Sequence, residues 1–185
     1  MEDYKVNTNY AKALFLATEN AEQQRAVLED MRVVARVCVQ NRELGVVMAN
    51  PTIKECKKAA IIADIFGSSV SRLSALFLDF VVRKRRAVNL RGIAEAYIKL
   101  YRERNNIVLT EVSTSEAVDA ATLSDVVRLV ADYTGKEVEM VHTVDRNMIG
   151  GFCMTFENNM YDARMRTQLQ KLRREFDKNM YERKL

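Results

Sequence analysis

The sequence predicts an α+β protein in which a helical first part, residues 1–105, is followed by a smaller mixed part, residues 106–185. Up to residue 105 the apolar residues recur every three or four positions, which is typical of amphipathic helices. Further along, segments 138–144 and 152–156 alternate apolar and polar residues, which is typical of half-buried strands. This change of period places a domain boundary near residue 105.

The composition argues against catalysis and against membrane insertion. The chain has 185 residues, of which 48% are hydrophobic and 29% charged, so it can bury a substantial core. No apolar run approaches the roughly 18–20 residues of a membrane span, and the acidic first residues show no signal-peptide pattern. The three widely spaced cysteines predict free thiols in a reducing compartment. With a single histidine, we expect no catalytic residue, no cofactor and no metal site.

The first helices follow from their apolar faces. Asn7 or Thr8 is expected to cap the first helix. One face of that helix carries Tyr10, Ala13, Leu14 and Ala17. The second helix has an apolar stripe at spacings of four, three and four, formed by Val27, Met31, Val34 and Cys38. A short helical turn is predicted over 43–48.

The only proline interrupts the helical pattern at Asn50-Pro51, and Thr52 is expected to cap the next helix. Gly67 is expected to end it in a left-handed conformation. Segment 71–84 is apolar on almost every side, which predicts a helix that is either central in a bundle or covered by a partner. A last helix of this part begins near residue 89.

The mixed part begins with a strand over 107–113, followed by a helix that Ser124 would cap and Gly135 would stop. Two further strands, 138–144 and 152–156, flank a loop that ends in Gly150-Gly151. Paired glycines at the start of a strand indicate a bulge or a close approach of two backbone segments. Asp162 is expected to cap the final helix.

The final helix has an apolar stripe formed by Met165, Leu169, Leu172, Phe176 and Met180, and its other faces are strongly charged. Two arrangements fit this pattern. The helix could lie on an anionic membrane surface, or it could dock on its own sheet through the first three of these residues. We favour the second for the first half of the helix, and expect the part beyond Phe176 to project as an interaction surface.

Two other motifs resemble ligand-binding sequences but are better explained by local structure. Asp145 with Gly150-Gly151 is unlike a phosphate-binding P-loop, because no lysine follows and the glycines precede a strand. The basic run 83–86 could bind nucleic acid, but cations at the end of a helix also offset its dipole. An RNA-binding helical protein therefore stays the alternative, and salt-sensitive RNA binding would favour it.

Several short motifs, taken in order along the chain, resemble the delta subunit of bacterial F-type ATP synthase, the counterpart of the mitochondrial oligomycin-sensitivity-conferring protein. The resemblance covers nearly the whole chain. It rests on residues 10–15, Asn50-Pro51-Thr52-Ile53, Arg86, and Asp145-x-x-x-Ile149-Gly150-Gly151 followed by Asp162 and Leu169-x-x-Leu172.

The resemblance implies a non-catalytic stator subunit that keeps the catalytic head from turning with the rotor of a proton-translocating ATP synthase. It implies a six-helix bundle over 1–105 that binds an N-terminal helix of the alpha subunit between its first and fifth helices. For that groove we expect Tyr10, Ala13, Leu14 and Ala17, with Leu76, Phe77 and Phe80.

The same resemblance implies that the part 106–185, with a short sheet and a C-terminal helix, binds the b subunits of the peripheral stalk. We expect Phe176 and Met180 in that contact. Asp145, Ile149, Gly150, Gly151 and Asp162 would form a structural motif. The chain would be a monomer in isolation and would bind no nucleic acid. It would lie on the cytoplasmic face of the bacterial inner membrane, which it would reach only through the complex.

Overall fold

The computed structural model describes residues 2–179, and side chains from Asp3 to Phe176. These residues form eight α-helices and one four-stranded sheet, which confirms the α+β class. The chain divides after Arg104 into two compact units, the first helical and the second mixed.

The first unit is built from six helices, and a short 3-10 turn precedes the last of them. The helices are α1 Glu2–Leu16, α2 Ala21–Gln40, α3 Arg42–Ala49, α4 Glu55–Phe66, α5 Arg72–Arg83 and α6 Leu90–Arg104. Helix α6 packs against both α1 and α2, and α4 packs against α5. Tyr97 of α6 lies at the centre of this core, where its hydroxyl donates to Gln24 O at 3.3 Å. Desolvation by burial raises the pKa of Tyr97 to about 12.

The first helix begins at Glu2, so the expected cap at Asn7 or Thr8 is wrong. Asn7 instead lies against the start of α6, where its Oδ1 accepts from Asn89 Nδ2 at 3.0 Å. A Cβ atom at Gly92 would lie 2.1 Å from Asn7 Nδ2. The glycine therefore permits the close approach of α1 and α6.

Two further helix ends differ from the sequence-based expectation. Helix α4 begins at Glu55 after Lys54, so Thr52 does not cap it; the Thr52 N–H donates to Asn50 Oδ1 in the turn around Pro51. Gly67 has a right-handed conformation with φ −57°, so the left-handed end predicted there is wrong. Asn20, for which no role was predicted, caps α2 by accepting from Gln23 N at 2.9 Å.

The second unit is a sheet with two helices. Its elements are β1 Ile107–Thr114, α7 Ala120–Thr134, β2 Glu137–Val144, β3 Phe152–Phe156, β4 Asn159–Asp162 and α8 Met165–Asn179. The strand order is β2-β1-β3-β4. Strands β1 and β2 are parallel and joined through α7, whereas β1–β3 and β3–β4 are antiparallel.

Helix α7 packs against the sheet and helps to bury a small core. The core consists of Val108, Val112, Val130, Met154 and Phe156. The strand register places these side chains together. Val112 is paired with His142 of β2 and with Met154 of β3, and paired residues of neighbouring strands lie on the same face of the sheet. The helix begins at Ala120 after Asp119, so Ser124 is not its cap. Gly135 ends it with φ +66°, as predicted.

Thr110 lies on the same sheet face, fully buried, and its hydroxyl has no hydrogen-bond partner among the described residues. A buried hydroxyl without a partner loses its hydration and gains nothing in return. Thr110→Val should therefore raise the free energy of unfolding of this unit by about 1 kcal/mol, as measured by urea denaturation.

Thr114→Val is the matched control for that prediction, because Thr114 lies on the same strand and face but has partners. Its hydroxyl donates to Glu116 O at 2.6 Å and lies 2.8 Å from His142 Nε2. This variant should lower the free energy of unfolding by about 1–2 kcal/mol. If the two substitutions changed stability in the same direction, the explanation from the unpaired hydroxyl would be wrong.

Candidate functional site

Helix α5 has two apolar faces, and only one of them belongs to the core. Leu78, Val81 and Val82 are buried. On the other side Leu76 is 61% and Phe80 47% exposed, and Phe77 is half-buried. In the described part of the chain, this second apolar face of α5 is therefore exposed.

Helix α1 approaches this exposed face of α5. The ring centroids of Tyr10 and Phe80 are 6.3 Å apart, with the ring planes at 52°. Ala13 is exposed on the same side of α1, and Ala17 is exposed in the turn that follows the helix. Leu14 is only 1% exposed, so its expected place in a partner groove is wrong. Its side chain turns toward the core, where α1 packs on α6.

The apolar surface of α5 continues toward α2 and ends at a cation. A cavity of about 410 Å³ is lined by Ala26 and Val27 of α2 and by Leu73 and Leu76 of α5. At the other end, Lys84 Nζ lies 5.6 Å from the centroid of the Phe80 ring. Together α1 and α5 therefore present an apolar strip with a cation near each end, Lys84 beside Phe80 and Arg72 in the lining of the cavity.

A buried carboxylate ties α5 to α2. Asp30 Oδ2 accepts hydrogen bonds from Ser71 N at 3.0 Å, from Ser71 Oγ at 2.6 Å and from Ser74 Oγ at 2.6 Å. Asp30 and Ser74 are buried, and Ser71 is the N-cap residue of α5. A negative charge at this helix end also interacts favourably with the helix dipole. The role of Asp30 was not predicted from the sequence, because its partners Ser71 and Ser74 are more than 40 residues away along the chain and no local pattern connects them.

The basic run 83–86 is partly neutralised. Arg83 Nε lies 2.7 Å from Asp79 Oδ2, and Arg85 Nε lies 3.1 Å from Glu55 Oε1. These pairs reduce the positive field that an RNA backbone would require. The run is better explained as the charged end of α5 than as a nucleic-acid site.

In the second unit, the loop before β3 crosses the start of α8. Gly151 has φ +87°, and a Cβ atom there would lie 2.2 Å from Ala163 O. Gly150 O accepts from Met165 N at 3.0 Å, and Phe152 O accepts from Ala163 N at 2.9 Å. The paired glycines thus serve a close backbone approach, as predicted, and Gly151 is the one with a left-handed φ.

Asp145 and Asp162 both accept hydrogen bonds in turns on either side of this crossing. Asp145 Oδ1 accepts from Asn147 N at 3.0 Å. Asp162 accepts from Arg164 N and Nε through Oδ1, both at 2.9 Å, and from Thr167 Oγ1 through Oδ2 at 3.0 Å. Hydrogen bonds from Arg164 hold the pKa of Asp162 well below its usual range. Helix α8 begins at Met165, so Arg164 occupies the N-cap position. Asp162 lies two residues before Arg164, so it stabilises the turn that leads into α8 and is not the N-cap as expected.

Ile149, the remaining residue of this motif, is 75% exposed. The motif therefore has a structural part, formed by the two aspartates and two glycines, and an exposed apolar side chain. No group of three or more His, Cys, Asp or Glu residues that could hold a metal ion occurs in the described part of the chain.

Helix α8 exposes its apolar stripe. Met165 is 54%, Leu169 58%, Leu172 49% and Phe176 70% exposed. The expectation that the first half of this helix docks on its own sheet is therefore wrong, because that contact would bury these side chains. Met180 lies outside the described residues. Within the range 2–179, no helix is long and apolar enough to cross a membrane.

Comparison with known proteins gives consistent matches over nearly the whole length. The family described as ATP synthase delta (OSCP) subunit matches residues 6–176. The ATP synthase subunit delta of Chlorobium luteolum is 32% identical over 174 residues, which cover 94% of this chain and 96% of that protein. The protein of the same name from Parabacteroides distasonis is 32% identical over 168 residues, with 91% and 93% covered.

The fold is also similar to that of a chain in a solved structure. A chain in the cryo-EM structure of the Toxoplasma gondii mitochondrial ATP synthase hexamer superimposes with a TM-score of 0.67, covering 92% of this chain and 96% of that one. At 16% identity this likeness concerns the fold.

Proposed function

Since the chain belongs to the ATP synthase delta (OSCP) subunit family, whose members are structural, non-catalytic subunits of ATP synthase, we propose that it links the catalytic head to the peripheral stalk through two separate helix-binding surfaces. The observation that supports this best is that both units expose an apolar stripe on a helix, on α5 and on α8. A subunit that connects the catalytic head to the peripheral stalk needs one binding surface for each of these two partners.

The head-binding surface is the strip between α1 and α5. We propose that α1 to α6 act as one bundle, and that an amphipathic N-terminal helix of the alpha subunit lies along this strip. A helix-in-groove complex needs small residues on one wall and large apolar residues on the other. Ala13 and Ala17 supply the first, and Leu76, Phe77 and Phe80 supply the second. Tyr10 joins Phe80 where the two walls meet.

Ala13→Trp should abolish binding of an alpha-subunit N-terminal peptide while leaving thermal stability unchanged. The residue is exposed, so an indole there fills the groove without crowding the core. Calorimetric titration and a thermal melt on the same sample measure both quantities. The control is Lys12→Trp, which adds the same ring at an exposed position on another side of α1.

Three outcomes are informative for the groove. Lost binding with retained stability, together with normal binding of Lys12→Trp, is the expected result. Lost stability would mean that Ala13 belongs to the core. Normal binding by the Ala13→Trp protein would place the alpha contact elsewhere on the helices.

The stalk-binding surface is the exposed stripe of α8, and we propose that a helical end of the b subunits lies along it. Phe176 and the undescribed Met180 would extend the contact toward the C-terminus. Leu169 lies in the middle of the described stripe, and Leu169→Gln should weaken b-subunit binding at least tenfold without loss of stability. The complex would hold the chain at the cytoplasmic face of the bacterial inner membrane.

A further inference from the structure

The stripe of α8 has the spacing of a coiled-coil seam. Met165, Leu169, Leu172 and Phe176 follow each other at four, three and four residues, which is the alternation of a and d positions in a heptad. All four side chains are exposed. A second helix can therefore pack along α8 in register, and its flanking residues would meet those of α8.

The two flanks of this seam differ in charge. With about 100° between successive residues of an α-helix, Arg166 and Arg173 lie on the same side of the seam. They are seven residues apart, so about 10 Å separates them along the helix. The opposite flank carries Gln168 and Glu175. All four flanking side chains are exposed.

Among the side chains from Asp3 to Phe176, neither Arg166 nor Arg173 forms an ion pair. This differs from Arg164, whose Nη2 lies 2.6 Å from Asp162 Oδ2. Flanking charges in a helix pair select the partner and its orientation. Two arginines that lie one heptad apart, with no ion-pair partner among the described side chains, are suited to that role.

We propose that the helix bound by α8 carries carboxylates one heptad apart beside its own apolar seam, placed to meet Arg166 and Arg173. This inference rests on the stalk contact proposed for α8 and adds the chemistry of the partner. The apolar seam holds the partner, and the arginines fix which side of it faces this flank. An uncharged or basic helix with the same apolar seam would bind less well.

The test compares two double variants that remove the same charge. Arg166→Gln with Arg173→Gln alters the flank of the seam, whereas Lys171→Gln with Arg174→Gln alters exposed cations on the far side of α8. The probe is the purified soluble part of the b subunit from the same organism, titrated calorimetrically into the full chain at about 50 and about 500 mM NaCl, since salt screens exposed charges.

The flank variant should bind about fivefold to tenfold more weakly than the unaltered chain at low salt, because each exposed pair contributes modestly. That difference should shrink at high salt. The far-side variant should stay within about twofold of the unaltered chain. Equal weakening of both variants, or no weakening of either, would overturn the proposed match of charges.

Leu169→Gln separates this inference from the proposed function. If it loses binding while the flank variant binds normally, the stalk contact stands and the charge match falls. The α8 contact itself is wrong if the unaltered chain does not bind the b subunit, or if the Leu169→Gln variant binds it as tightly as the unaltered chain. The inference about the charges is then wrong as well.

Discussion

Gly151→Val should destabilise the second unit by about 3 kcal/mol or more. The residue has φ +87°, where a β-branched side chain is strained by on the order of 1–3 kcal/mol. Its Cβ would also lie 2.2 Å from Ala163 O and 3.0 Å from Arg164 Cα. Both are backbone atoms that cannot move aside without displacing the entry to α8, so the overpacking cost adds to the strain.

Gly150→Val is the matched control for this result. Gly150 has no left-handed φ, and a Cβ atom there would first meet Met165 Sδ at 2.9 Å. The thioether side chain is flexible and can shift, so this variant should cost about 1 kcal/mol. Hydrogen exchange of the β3 and α8 amides measures the two effects within the unit concerned. Equal protection in both variants would show that the crossing at Gly151 is not the strained point.

Asp30→Ala should lower the free energy of unfolding of the first unit by about 2–4 kcal/mol. The substitution removes the acceptor of three hydrogen bonds from Ser71 and Ser74 and leaves those donors without it. Because these bonds hold the start of α5 on α2, hydrogen exchange should accelerate first in α5. Binding of the alpha-subunit peptide should weaken as well, since α5 forms one wall of the groove.

Glu29→Ala removes the neighbouring carboxylate and serves as the control for Asp30. Glu29 is exposed and pairs with Arg32 at 2.9 Å, one turn away on the same helix. Exposed pairs contribute little, so the expected loss is below about 1 kcal/mol. If both variants lost the same stability, or if α5 exchanged no faster than α6 in Asp30→Ala, the tie between α2 and α5 would be unimportant.

Hydrophobic periodicity predicted most helices and strands correctly, but it did not predict which elements pack against each other. Alternating residues predicted β1, β2 and β3, because a half-buried strand imposes a period of two on its own sequence. The short edge strand β4 was not predicted, and its last residue Asp162 was expected to cap the final helix, since four residues that pair on one side leave little pattern. Gly-Gly predicted a close backbone approach, but which glycine takes a positive φ depends on how the chain crosses α8.

For the two proposed binding surfaces, too, the sequence shows which residues are apolar but not what they contact. Tyr10, Ala13, Leu14 and Ala17 share one apolar stripe, but a stripe is wide enough to meet two neighbours. The packing of α1 on α6 takes Leu14 into the core and leaves the alanines exposed. On α8, an amphipathic pattern separates an apolar face from a polar one without saying what packs on the apolar face. Its assignment to the chain's own sheet was wrong for that reason.

The central claim is that one chain holds two partners at once through independent surfaces, and sedimentation velocity of the purified components tests it most directly. The unaltered chain, an alpha-subunit N-terminal peptide and the soluble part of the b subunit should form a ternary complex. Ala13→Trp should keep only the b subunit, and Leu169→Gln only the alpha peptide. Competition between the two partners for the unaltered chain, or loss of both partners from either variant, would contradict the account.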